Sequence, residues 1–308
     1  MTEPVAVPNI DVRDGGALGA AVDALWELTH VLREHCPWDQ AQSAGTIVPH
    51  TLEEAWEVAD VVRAAERAIA SGEDPELGEL EDELGDLLFQ VCFLAMWCGE
   101  RDPSIDLGSV SRRVFEKLVR RHPHVFGAEA SGDTEHDGAL VAGTADEVLV
   151  HWNRIKRDKE ARGLFEGIPG SMPPLGRARK VQSRAASVGF DFADPRAALA
   201  KLEEEVAELR AAIDEAEAAG SLGTASGDLP DPAVESELGD VLFAAANVAR
   251  LVRIDPELAA QDATRTFQAR VEGAIELAEG DGESFRELDL DAQEAYYQRA
   301  KAQLRASR

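Results

Sequence analysis

Two acidic patterns recur in this chain. Glu53-Glu54-x-x-Glu57 is followed after 25 residues by Glu83-x-x-Asp86, and Glu204-Glu205-x-x-Glu208 is followed after 28 by Glu237-x-x-Asp240. Residues three or four apart share one helix face, so Glu54 with Glu57, and Glu83 with Asp86, form two acidic pairs that can converge. Like charges at that spacing repel, which calls for a cation or a solvated face. Behind each aspartate runs an apolar stretch, Leu87 to Trp97 with Gln90 as its single polar residue, and Val241 to Ala246. Such stretches read as helices covered on all sides. Asp86 shares the stripe of Phe89 and Phe93, and Asp240 that of Phe243, so both aspartates are expected to face packed surface. Burying an unpaired carboxylate costs roughly several kcal/mol. Four carboxylates with neither His nor Cys suit a hard divalent cation, Mg2+ or Mn2+.

The elements that must hold these acids are helices. Strand-like Val/Ile/Thr alternation is scarce, and helical patterning predicts segments 17–35, 46–71, 75–100, 106–121, 144–161, 173–187, 195–219, 232–252, 256–279 and 291–306. Asp-Pro pairs at 74–75, 194–195, 231–232 and 255–256 place an N-cap acid before a proline at the first helical position. The expected fold is all-α, with a first helical domain over 17–126, a linker with a charged helix over 127–172, and a second helical domain over 173–306. Duplication explains the halves, since an aromatic-Asp turn, Trp38-Asp39 or Phe190-Asp191, leads into each acidic helix.

Composition narrows the function classes. A net charge of −28 and a pI near 4.5 argue against a phosphate-backbone binder, so no nucleic-acid partner is expected. Cys36, Cys92 and Cys98 form no CxxC and read as reduced thiols. No basic n-region precedes an apolar run at the N-terminus, and the longest apolar stretch, around 87–98, is too short to span a bilayer. A cytoplasmic protein without a membrane partner is expected.

The motifs together resemble the MazG-type nucleoside triphosphate pyrophosphohydrolases of the all-α NTP pyrophosphohydrolase superfamily. The resemblance rests on His35 to Gln40 (HCPWDQ), Thr51 to Val58 (TLEEAWEV), Glu83 to Gln90 (ELGDLLFQ) and Lys117 to Phe126 (KLVRRHPHVF), and on Val188 to Asp191, Lys201 to Leu209 (KLEEEVAEL) and Glu237 to Phe243 (ELGDVLF). It implies dimerising helical domains that cleave an NTP or dNTP between its α- and β-phosphates with Mg2+, possible roles including removal of noncanonical or oxidised nucleotides. It also implies Glu54, Glu57, Glu83 and Asp86 as metal ligands in the first half, with Glu53 accepting a proton from water or orienting it. Glu205, Glu208, Glu237 and Asp240, with Glu204, take these parts in the second. An ungapped match of Leu52 to Leu202 would put Ala207 in place of Glu57; the KLxEExxEL register restores the set.

Cations fit the substrate's charge. Lys117, Arg120 and Arg121 are candidate phosphate ligands or ordinary charge at a helix C-terminus. Trp38 is a candidate for stacking on a base or for anchoring its turn. In the second half only Arg270 remains of the basic triad, which points to the first half as the competent one. Glu27-x-x-His30 has the spacing of a di-iron motif but occurs once, and His122 and His124 read as structural. A nucleotide-binding regulatory dimer with little catalysis is the alternative to the enzyme.

Overall fold

The computed structural model describes residues 16–131, 163–223 and 230–306. Among them there are helices and turns and no strand, as expected. The charged segment 144–161 lies outside the described residues. The chain divides into two compact units, 1–147 and 148–308.

In the first unit the helices are α1 (Gly16–His35), α2 (Pro37–Ala41), α3 (Ala44–Ala70), α4 (Gly78–Gly99), α5 (Leu107–Arg121) and α6 (Pro123–Ser131). The starts of α3 and α5 are set by capping boxes, Ser43 with Thr46 and Asp106 with Ser109. α3 packs along α4, and α1 packs against α2 and α4. Between them lies a core of Ile47, Phe93 and Met96, with Trp26, Phe89 and Leu94 at its edge. Arg33 of α1 pins the aromatic-Asp turn by donating to the carbonyls of Asp39 and Gln42 while pairing with Glu100 at 2.6 Å.

The second unit holds α7 (Pro174–Ala186), α8 (Pro195–Ala219), α9 (Pro232–Leu251), α10 (Pro256–Gly280) and α11 (Leu290–Ala306). Asp194, Asp231 and Asp255 each accept two backbone N–H bonds at the starts of α8, α9 and α10, as their Asp-Pro pairs predict. The pair at 74–75 does not cap, because α4 begins at Gly78 behind Leu77, which offers no side-chain acceptor. α8 packs along α9 as α3 does along α4, and α7 lies on α9 and α10. A turn with Gly189 at φ +88° ends α7 and presents Phe190 and Asp191. Here the turn is pinned from α9, by the guanidinium of Arg250 on both oxygens of Asp191.

α4 is not covered on all sides. Leu84, Leu88 and Val91 are exposed, and so are Leu238, Leu242 and Phe243 of α9. Asp86 and Asp240 are likewise exposed, against the expectation that they face packed surface. The reason is that the buried residues of α4 all lie between Gln90 and Met96, while the earlier turns that hold Leu84, Asp86 and Leu88 are open.

Candidate active site

α3 supplies Glu54 and Glu57 and α4 supplies Glu83 to one point, where a carboxylate oxygen from each lies within 4.8 Å of the other two. α8 and α9 bring Glu205, Glu208 and Glu237 together within the same limit. This placement supports the register that aligns Glu205 with Glu54 and Glu208 with Glu57. The converging carboxylates are thus three glutamates in each unit, with Asp86 and Asp240 on exposed positions one turn further along. Asp86 is still close enough for its charge to act on Glu54 and Glu83.

The electrostatics show how crowded these acids are. Burial, a hydrogen bond shared with Glu57 and the charges of Asp86, Glu57 and Glu83 push the Glu54 carboxyl above the ordinary range. Glu83 is raised by burial and then by Glu57 and Asp86. In the second unit Glu205 is 8% exposed, and the Lys201 ammonium, 2.8 Å away, holds it low. Glu208 is raised, first by its hydrogen bond to Glu205. Carboxylate oxygens this close to one another could hold a hard divalent cation.

The two expected proton acceptors stand outside the clusters. Glu53 is exposed and bonded to His50 Nδ1 at 3.0 Å, and Glu204 is exposed and paired with Lys201 at 2.7 Å. Each thus has a basic partner three residues earlier in its helix. Lys201 and His50 escaped the sequence reading, although their i,i+3 and i,i+4 spacing to the glutamates was the available signal.

Lys117, Arg120 and Arg121 lie on the last turns of α5, which packs on α4 and α6. Arg270 sits over the Tyr297 ring at 6.0 Å, with Nη1 3.4 Å from its hydroxyl, and so is held between α10 and α11. Its guanidinium is engaged by an aromatic neighbour that the sequence pattern did not reveal. Trp38 is half exposed, with its ring 5.9 Å from that of His50. His30 packs edge-on against Trp26 at 4.8 Å, in keeping with a structural role. The His122 and His124 rings lie 5.5 Å apart, tilted by 46° to one another.

The second set opens on a cavity of about 610 Å3. Lys201, Glu205 and Asp240 line one part of it, and Phe165, Phe190, Phe192 and Phe243 another. Its volume falls in the range of about 300–1,000 Å3 usual for small-molecule sites.

A family model for the MazG nucleotide pyrophosphohydrolase domain matches residues 42–126 and again residues 193–273. The chain belongs to the MazG family. Each matched segment contains one complete carboxylate set, so the repeat is a repeat of whole MazG domains. The nucleoside triphosphate pyrophosphohydrolase of Escherichia coli (strain K12) is 33% identical over 294 residues, covering 92% of this chain and 97% of that one. A Thermotoga maritima protein named nucleoside triphosphate pyrophosphohydrolase/pyrophosphatase MazG is 32% identical over 271 residues, covering 87% and 90%. The Mycolicibacterium smegmatis nucleoside triphosphate pyrophosphohydrolase is 27% identical over 236 residues, covering 71% and 65%. Family membership makes this MazG chain a hydrolase of nucleotides. Among the described residues no helix is long and apolar enough to cross a membrane.

Proposed function

We propose that this MazG chain hydrolyses nucleoside triphosphates, ribo or deoxy, between the α- and β-phosphates, releasing the monophosphate and pyrophosphate, with Mg2+ required and Mn2+ a substitute. The observation that carries this is the convergence of three glutamates at the same place in each unit, where crowding raises the carboxyls of Glu54, Glu83 and Glu208. A bound divalent cation neutralises the triphosphate and makes water a better nucleophile.

The protein's own residues account for the remainder of the reaction. Glu54, Glu57 and Glu83, or Glu205, Glu208 and Glu237, hold the cation, with Asp86 or Asp240 at the rim. Glu53 or Glu204 takes the proton of the attacking water, and the bridging α–β P–O bond breaks to free pyrophosphate. Lys201 serves the second site as a cation already at the carboxylates and able to meet a phosphate oxygen. The chain would work as a homodimer in the cytoplasm, drawing on the bulk pool or on its noncanonical and oxidised members.

Product analysis on the full chain with Mg2+ and a triphosphate tests the activity. Pyrophosphate and monophosphate in equal amounts are expected. Orthophosphate would mean cleavage elsewhere, and nucleotide binding without turnover would favour the regulatory module.

A further inference from the structure

The first glutamate of each EExxE has a basic side chain three residues before it, yet the two units meet this with different residue types. Lys201 bonds Glu204 at 2.7 Å and Glu205 at 2.8 Å, so one ammonium serves two carboxylates. His50, which the register sets against Lys201, bonds Glu53 from Nδ1 at 3.0 Å. An imidazole nitrogen carries a single hydrogen in the plane of its ring, whereas an ammonium has three rotatable donors. The bond in the first unit therefore has a direction that its counterpart lacks.

Trp38 gives His50 a second neighbour, its ring centre 5.9 Å from that of the imidazole and tilted by 57°. Arg33 fixes the turn that carries Trp38 by donating to the carbonyls of Asp39 and Gln42, and Gln42 donates from Nε2 to the Trp38 carbonyl at 3.1 Å. Contacts thus run from α1 through α2 to His50 on α3, and from His50 to Glu53. The Glu53 side chain is 67% exposed, and an unrestrained glutamate rotates about χ1, χ2 and χ3. A general base works only within hydrogen-bond reach of the proton it abstracts, so rotamers that swing the carboxylate away are lost to the reaction. A carboxylate ready to take a proton is an acceptor alone, which makes Nδ1 the donor of the pair. The bond engages Oε2 and leaves Oε1 for the water. A pair three residues apart also stabilises its helix slightly, so turnover and helix content must be read apart.

We propose that His50 is a positioning residue for the reaction of the first unit: its Nδ1–H holds the Glu53 carboxylate where it takes the proton of the attacking water, and Trp38 steadies the imidazole. The assignment rests on the pyrophosphohydrolase activity proposed for the site and on turnover by the first unit.

Glu205→Gln in the full chain silences the second set, so that pyrophosphate released from a triphosphate with Mg2+ reports the first unit. In that background His50→Ala is expected to lower kcat about tenfold, well short of the roughly 100-fold or more that a general base supplies. KM should stay within about twofold, since the carboxylate acts on the water rather than on substrate binding. His50→Asn puts an amide N–H where Nδ1 stands and should restore most of the rate. His50→Phe keeps a ring beside Trp38 without a donor and should be as slow as His50→Ala. Adding His50→Ala to Glu53→Gln should cost nothing further, because the imidazole acts through the carboxylate. Circular dichroism should give one helix content for all variants. A readout without turnover comes from the nitrogen shifts of the His50 imidazole in chelator, which should place its proton on Nδ1 in the wild type and on Nε2 in Glu53→Ala. A wild-type proton on Nε2 alone, a full rate in His50→Ala or His50→Phe, no recovery in His50→Asn, or a loss that persists beside Glu53→Gln would overturn the assignment. So would pyrophosphate from the wild type with none from Glu205→Gln, a result that leaves the activity standing. No pyrophosphate from the wild type overturns the activity, and the assignment with it.

Discussion

Lys201 lies 2.8 Å from Glu205, whereas His50, at the same point of the first unit, bonds Glu53 at 3.0 Å. The second glutamate of EExxE thus has a cationic neighbour in one unit, while in the other Glu54 shares a hydrogen bond with Glu57. The two sets should therefore respond differently to acid.

Metal must displace protons from raised carboxyls. In the first set both Glu54 and Glu83 are raised, while in the second Glu205 is held low and Glu208 is raised. Mg2+ titrations at pH 8 and pH 5.5 on Glu205→Gln, which keeps the first set, and on Glu54→Gln, which keeps the second, should show the larger acid loss in Glu205→Gln. Each variant should also lose on the order of 100-fold in affinity at its own altered set. A larger acid loss in Glu54→Gln would contradict this electrostatic account.

Stability should follow the same groups. A carboxyl raised in the folded state destabilises it once ionised; that penalty is absent below about pH 4.5, the ordinary glutamate value, and complete above the raised folded value. Mg2+ removes the repulsion. The gain in Tm on replacing chelator by Mg2+ should be several degrees at pH 7.5 and near zero at pH 4.5, read by circular dichroism. An equal gain at both pH values would mean that the metal acts elsewhere.

Leu84, Leu88 and Val91 form an exposed apolar stripe on α4, and covering it would stabilise an assembly. Light scattering at micromolar concentration should give at least twice the 33.2 kDa chain mass. Leu88→Glu should shift the population toward the single-chain mass without changing helix content. A wild-type protein of single-chain mass that turns over substrate would end the dimer proposal.

The Asp-Pro pairs can be compared directly. Asp194→Ala removes two N–H acceptors from the start of α8 and should cost about 1 kcal/mol in urea unfolding. Asp74→Ala, outside any helix start, should stay within about 0.5 kcal/mol. Similar losses from both would show that Asp74 has a role that the helix boundary does not explain.

What could be read from the sequence was whatever depends on spacing within one helix. The EExxE and ExxD glutamates, the all-α class and the caps at Asp194, Asp231 and Asp255 follow from local periodicity and from proline's fixed φ. Contacts between helices were not legible. The stripe shared by Asp86 and Phe93 suggested that both were buried, yet the helix is covered along only part of its length. Arg270 has the residue type for a phosphate ligand, but which neighbour engages it depends on how α11 packs. Gln182 and Asn247 stand 65 positions apart in the sequence, and only the packing of α7 on α9 makes them walls of one cavity.

The registers that set Glu54 against Glu205 and Asp86 against Asp240 also set Ile47, Gln90 and Phe93 against the smaller Ala198, Ala244 and Asn247, an exchange that bears on how such a chain can change over generations. A copy whose interior is filled keeps its own shape without help from any ligand. Its twin carries small side chains at these places, beside a cavity whose walls forgo the contacts that packed neighbours would make. The filled copy remains a reserve from which a second chamber could be opened by removing one ring.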